Sequence, residues 1–169
     1  MEQRLKLSKA SSAPPVDATE YQSIIGSLRY LVHSCPNLAF SVGYASRFME
    51  NPTAEHLAAM KRILCYVAGT IDFGCYYTKK GIKEGLIGFS DSDIAGDVDT
   101  RKSTSGILFF FGSSLVSWQS QKQRVIALSS CGAEYIVATT TACQSVWLAQ
   151  LIRVLTDEQP DAFKLNIDN

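Results

Sequence analysis

Histidine and paired cysteine, the residues that build most metal and redox centres, are scarce in this sequence. The 169 residues hold two histidines, His33 and His56, and five cysteines with no Cys-x-x-Cys pair among them. A structural zinc site needs four ligands clustered at short spacings, so zinc is excluded as the organising device of the fold. The odd count of Cys35, Cys65, Cys75, Cys131 and Cys143 points to reduced thiols in an intracellular compartment, each expected as a small buried hydrophobe. Net charge is missing as well. Sixteen basic and sixteen acidic residues cancel, which removes the simplest electrostatic argument for nucleic-acid binding. Apolar runs are short: Gly106–Gly112, with its three phenylalanines, is far too brief to cross a bilayer, and no membrane partner is expected. The opening Met1–Ala13 carries Arg4, Lys6 and Lys9 without an apolar stretch behind them, so no secretory signal is read there. Gly-x-Ser-x-Gly, P-loop and dinucleotide fingerprints are absent, which leaves other enzyme classes without a foothold.

What is present is the composition of a folded protein, 46% hydrophobic and 19% charged, unlike that of a disordered chain. This length accommodates one domain, or one domain and part of another. Residues 1–19, with Ser-Ser-Ala-Pro-Pro and little periodicity, read as a flexible lead-in. From 20 to 70 the period is helical. Tyr21, Ile24, Ile25, Leu28, Leu31 and Val32 share one face. Pro36 stops that helix and opens the next, which carries Leu38, Val42, Ala45, Phe48 and Met49. Asn51-Pro52-Thr53 punctuates again, and Glu55 suits a first turn. Leu57, Met60, Ile63, Leu64 and Val67 form a third stripe before Gly69 ends it.

Beyond Gly69 the period falls to two. Phe73–Tyr77 and Leu86–Phe89 read as strands around the turn-rich Lys79–Gly85. Ile107–Phe111 and Leu115–Trp118 follow, joined by the hairpin signal Gly112-Ser113-Ser114. Arg124–Leu128 either extends the sheet or leads into a helix. Glu134 to about Leu155 is expected to be helical in two pieces, burying Ile136, Cys143, Val146, Trp147 and Leu151. Pro160 ends it, and Phe163–Ile167 alternates as a last strand. The expected class is α/β with a mixed sheet over residues 71–169, preceded by a small helical unit.

Three acids stand at positions suited to chemistry. Asp91 follows the apolar strand Leu86-Ile87-Gly88-Phe89-Ser90, Glu134 opens a helix after Ser129-Ser130-Cys131-Gly132, and Asp168 ends Lys164-Leu165-Asn166-Ile167. Clustered carboxylates raise one another's pKa unless a cation offsets their charge, and hard oxygen ligands suit Mg²⁺. Two such ions roughly 4 Å apart can activate a water and stabilise the oxygen leaving a phosphodiester. From spacing alone, turn formation and helix capping also explain acids at these positions.

Longer strings carry more information. Ser90-Asp91-Ser92-Asp93-Ile94-Ala95-Gly96-Asp97 resembles the Ser-Asp-Ala-Asp-Trp-Ala-Gly-Asp of copia-type LTR retrotransposon Pol polyproteins. Arg101-Lys102-Ser103-Thr104-Ser105-Gly106 matches that family's string outright. Val116-Ser117-Trp118, Ala127-Leu128-Ser129-Ser130 and Ala133-Glu134-Tyr135 follow in the same order. Upstream, Val16-Asp17, Tyr21 to Tyr30-Leu31, and Phe48-Met49 through Lys61-Arg62-Ile63-Leu64 resemble the stretch after the reverse-transcriptase palm. The resemblance implies an RNase H fold from near Phe73, and a reverse-transcriptase thumb and connection remnant over residues 20–70. It implies Mg²⁺-dependent cleavage of the RNA strand of RNA–DNA hybrids, with Asp91, Glu134 and Asp168 as catalytic metal ligands. The implied partners are the hybrid and the upstream reverse transcriptase. In the family a fourth acid follows the segment that opens with Asp-Asn; this sequence ends at Asp168-Asn169. A truncated RNase H-like domain is therefore expected, its cleavage impaired. The alternative, from another class, is a captured or decayed fragment that is inert or serves as a binding module.

Departures from the family pattern bear on that choice. Gly132 replaces the first Glu of Ser-Thr-Glu-Ala-Glu-Tyr, and Ile94 replaces a Trp. Cys35 and Cys65 stand where Arg is usual, as decay of methylated DNA in an old genomic copy would leave them. Around the acids, Asp93, Asp97 and Asp99 read as solvated loop or turn residues. Ser103-Thr104-Ser105, with Arg101 and Lys102, serves either a nucleic-acid backbone or a turn. Gln119–Arg124 reads as a phosphate-contacting or solvated loop, and Trp118 and Trp147 as core aromatics.

Overall fold

A computed structural model describes residues 6–77, 85–157 and 163–167. The chain divides into two compact units, Met1–Gly74 with Asp97–Thr100, and Cys75–Gly96 with Arg101–Asn169.

The first unit is helical. Helix α1 (Ala18–Leu31) starts where the Asp17 side chain accepts from the Thr19 N–H, satisfying one of the donors that a helix start leaves open. Its expected face is inward: Tyr21, Ile25 and Leu28 are buried, with Ile24, Leu31 and Val32 packed beside them. Helix α2 (Ala39–Ala45) lies between two 3₁₀ turns, Pro36–Leu38 and Ser46–Phe48. Helix α3 (Ala54–Gly69) opens with a capping box in which the Thr53 N–H donates to Nδ1 of His56 at 3.0 Å. Met60 and Ile63 enter the core, whereas Leu64 is 38% exposed.

Residues 7–17, expected to be flexible, are pinned to this unit. Leu7 is buried, with its N–H on the Tyr44 hydroxyl, and Val16 N–H and Pro14 C=O bond to Pro52 and Ala54. The prolines that suggested flexibility instead supply a fixed extended backbone. Asp97 is not solvated either. It is buried, paired with Arg47 at 3.1 Å, and accepts from the Thr100 N–H. Asp99 accepts from the Ser8 hydroxyl and the Lys9 N–H.

The second unit carries a four-stranded mixed sheet. Strands β1 (Leu86–Ser92), β2 (Thr104–Phe111) and β3 (Ser114–Lys122) form an antiparallel meander, and β4 (Lys164–Ile167) pairs parallel to β1, giving the order β3-β2-β1-β4. Gly112, at φ 61°, turns the hairpin between β2 and β3, a conformation L side chains resist. Helix α4 (Ser130–Thr156) packs over one face, where Leu86, Ile107, Phe109, Val137 and Leu148 form the core. The α/β class with a mixed sheet is therefore present.

Several expectations fail beyond the core of this unit and in the residues around it. Phe73–Tyr77 is no strand: these residues join no ladder, and Phe73, Tyr76 and Tyr77 are exposed. Alternation without a hydrogen-bonding neighbour does not make a strand. Helix α4 is one piece of 27 residues, because no proline or interior glycine interrupts it after its first turn. Its buried side is also different: Ala133, Val137, Thr141, Ser145 and Leu148, while Val146, Trp147 and Leu151 are exposed. Small residues at intervals of four let the helix approach the sheet closely. Trp147 is thus no core aromatic, and Trp118 is half-buried. None of the cysteines is buried; Cys65, Cys131 and Cys143 are exposed on the outer sides of helices.

Candidate functional site

Strand β1 sets the frame. Its burial alternates, with Leu86, Gly88 and Ser90 buried beneath α4 and Phe89 and Asp91 exposed. Strand geometry sends successive side chains to opposite faces, so Asp91 stands on the face away from α4, in register with Gly106. Gly88 keeps this region tight: a Cβ there would lie 2.6 Å from Leu165 Cδ2 and 2.7 Å from Phe109 Cε1.

Glu134 comes from the first turn of α4. Ser129 caps that helix, its hydroxyl accepting from the Gly132 N–H at 3.0 Å. From there one carboxylate oxygen of Glu134 accepts from the backbone N–H of Ser92 at 2.9 Å. The acid at the helix start is thereby fixed to the residue next to Asp91. Both acids therefore belong to the end of β1, Asp91 on the strand itself and Glu134 through its bond to the next residue. Parallel pairing of β4 sets Ile167 beside Ser90; Asp168 lies outside the described residues. Among the described residues no group of three or more His, Cys, Asp or Glu could hold a metal ion. Asp91 and Glu134 supply hard oxygen donors of the kind Mg²⁺ takes.

The neighbouring polar residues have structural duties. The Asp93 carboxylate accepts from the Thr104 N–H, the Asp93 N–H bonds to the Thr104 carbonyl at 3.2 Å, and a Cβ on Gly96 would collide with that carboxylate. Asp93 thus closes the loop from β1 to β2. Ser103 is fully buried and accepts from the N–H of Ala95, which sits at φ 50°. Of the two readings of Ser103-Thr104-Ser105, loop closure is the one the packing supports, since both Ser103 and Thr104 are buried.

Residues 119–122 are not a loop but the end of β3, and Gln123 immediately beyond is buried, 6% exposed. Its side-chain amide donates to Ser92 Oγ, Ser105 Oγ and the Ala133 carbonyl, each at 3.0 Å. Its N–H continues the ladder to Ser103 O at 2.8 Å. The sequence reading missed this residue. No signal in the sequence marked it: a period of two with the exposed Gln119 and Gln121 would have placed Gln123 outward.

Comparison with known proteins shows extended similarity. The chain is 42% identical over 150 residues to the retrovirus-related Pol polyprotein from transposon RE1 of Arabidopsis thaliana, covering 89% of this chain and 10% of that protein. It is 43% identical over 159 residues to the retrovirus-related Pol polyprotein from transposon TNT 1-94 of Nicotiana tabacum, covering 89% of this chain and 12% of that protein. It therefore spans about a tenth of the length of these relatives. A shorter relative, the secreted RxLR effector protein 161 of Plasmopara viticola, is 43% identical over 129 residues, covering 76% of this chain and 90% of that protein. No family model and no solved structure matches the chain.

Proposed function

We propose, from the premise that this chain belongs to the copia-type retrotransposon Pol family, that its second unit is an RNase H-like module of that polyprotein. Its lineage activity is Mg²⁺-dependent cleavage of the RNA strand of an RNA–DNA hybrid. The helical unit is the thumb and connection region of the reverse transcriptase, which with the hybrid is the working partner. Free cysteines, three of them exposed, support a reducing intracellular setting.

One observation carries the reading: the Glu134 carboxylate is held on the Ser92 N–H, one residue from Asp91. Asp91, Glu134 and Asp168 would hold the metal, which when bound supplies an activated water and charge stabilisation for phosphodiester cleavage. The protein's own part is to mount Asp91 on a paired strand, where neighbouring ladders limit its movement, and to bring Glu134 in on a capped helix.

A second reading is favoured by the relative named as a secreted effector, nearly all of whose length this chain matches. In it, the fragment serves as a non-catalytic binding module. Purified protein incubated with a labelled hybrid and Mg²⁺ separates the two. On the catalytic reading cleavage should be weak, as expected of an impaired site, and fall by at least about a hundredfold in Asp91→Asn, more than roughly ten- to hundredfold outer-shell effects. The melting temperature should barely move, because Asp91 is exposed. No cleavage above the protein-free blank overturns the catalytic reading.

A further inference from the structure

We infer that Gln123 is the positioning residue of the carboxylate site, holding the first turn of α4 to the end of β1 and so fixing Glu134 relative to Asp91. The inference rests on the proposed function for its purpose, but its geometry stands alone.

The argument begins with the closed circuit around Ser92. The Gln123 amide nitrogen donates to Ser92 Oγ on β1 and to the Ala133 carbonyl on α4. Ala133 precedes Glu134, whose carboxylate returns to the Ser92 N–H. Two independent ties therefore join the same strand residue to the same helical turn, one through Gln123 and one through Glu134. Ser105, the cross-strand partner of Ser92, takes a further bond from the same nitrogen, so β2 is held as well. An amide nitrogen has two hydrogens, so two of the three acceptors at 3.0 Å share one of them. The Ser92 hydroxyl passes its own hydrogen on to the Asp93 carbonyl at 3.2 Å. Asp91 thus lies next to a residue gripped at both its N–H and its hydroxyl.

A buried primary amide is a costly choice for a purely structural tie. Its Oε1 is buried with no hydrogen-bond partner among the described residues, an unfavourable condition for a polar atom. An apolar side chain of the same length would fill the space without that penalty, yet could not bond to the strand and the helix together. Gln123 touches no reacting atom in this scheme; it acts through Ser92 and Ala133.

The test uses the full chain with Gln123→Met, which keeps side-chain length, and Gln123→Asn, which keeps the amide but shortens its reach. Amide exchange of the Ser92 N–H, followed by NMR, reads the geometry without reference to catalysis. We expect Gln123→Met to speed Ser92 exchange about tenfold relative to Phe109, the loss of one or two hydrogen bonds. Gln123→Asn should do the same. In the same samples the Mg²⁺ concentration giving half-maximal hybrid cleavage should rise about tenfold, with KM for the hybrid within twofold of the parent. Unchanged Ser92 exchange in both variants overturns the inference whatever the activity. Faster exchange with an unchanged Mg²⁺ requirement also overturns it, making Gln123 structural only. If the parent cleaves nothing, the proposed function fails, and the exchange result alone decides whether Gln123 holds Glu134 in place.

Discussion

The two units treat buried polarity differently. In the helical unit, each prominent buried polar group serves the packing of its own surroundings. The fully buried Tyr21 donates to the Ala45 carbonyl at 3.0 Å, and burial pushes its phenol pKa up to about 12. His56 caps α3, faces the Ser8 carbonyl through its other nitrogen, and stacks on Phe48 with centroids 4.1 Å apart. In the sheet unit, polar groups gather at one end of β1 instead, and some remain unsatisfied. Ser90 Oγ and Gln123 Oε1 are both buried without a hydrogen-bond partner among the described residues. A buried polar atom left alone costs free energy, and such costs concentrate where geometry serves something besides stability. The first unit is arranged to stay folded. The second places unpartnered polar atoms next to its acids.

That contrast can be broken most severely through Arg47. Its guanidinium pairs with the buried Asp97 and lies 4.9 Å from the Tyr44 ring centroid. Removing one partner of a buried pair typically costs about 3–5 kcal/mol. Arg47→Ala should therefore destabilise the helical unit by about that much in denaturant titration, while Ser92 amide protection stays closer to its parent value.

Gly88→Ala probes the other unit. The new methyl group would press on Leu165 and the buried ring of Phe109, and overpacking of this kind costs about 1–3 kcal/mol. Exchange of the β4 amides should accelerate most, and an equal loss of protection in α1 would contradict the division. A smaller effect follows from Ser129→Ala, which removes the cap of α4 and should cost about 1 kcal/mol by thermal melting. The difference between the units would then extend to chemistry, since the first turn carries Glu134 and, on the proposed catalytic reading, hybrid cleavage should drop with it.

The smallest effect concerns pH. His56 is lowered below its ordinary pKa, first by burial, with the Ser8 carbonyl and the charges of Glu55 and Asp99 working the other way. The folded state thus keeps the ring neutral at a pH where the unfolded chain, with its pKa near about 6.5, already takes up a proton. Stability should be full above that value and fall as pH drops through it towards the folded pKa. Melting temperature against pH should show this slope, and His56→Gln should flatten it.

Sequence patterns disclosed the helical unit best, because its three stripes at helical spacing point where the core lies: Tyr21, Ile25, Leu28, Met60 and Ile63 are all inside. They disclosed β1, β2 and the β2–β3 hairpin for the same reason. Helix α4 misled because its most apolar residues were assigned to the core. The packed face is instead the one small enough to approach the sheet, with Thr141 and Ser145 fully or nearly fully buried. Burial there follows from shape, which a hydrophobicity pattern does not encode. Asp91 and Glu134 were legible as acids at element ends, but the bond from Ser92 to Glu134 depends on tertiary approach. Gln123 was legible only as a polar residue in a polar stretch. Its importance comes from three elements meeting around it, of which β1 and β2 are the more distant in sequence.

The strand order has a consequence for how this protein is made. The meander β1-β2-β3 consists of neighbours in sequence and can pair as soon as it leaves the ribosome. The other edge of β1 waits for β4: Ile87 has no parallel partner until Lys164 has been synthesised, with all of α4 in between. Until then, β1 offers an open row of backbone donors and acceptors, beside core side chains that α4 has yet to cover. Non-local parallel pairing is intrinsically slow, and nascent chains are most prone to stick together during such intervals. The same strand that mounts Asp91 is therefore the one most exposed to mispairing with another nascent copy, and translation speed across α4 sets how long that exposure lasts.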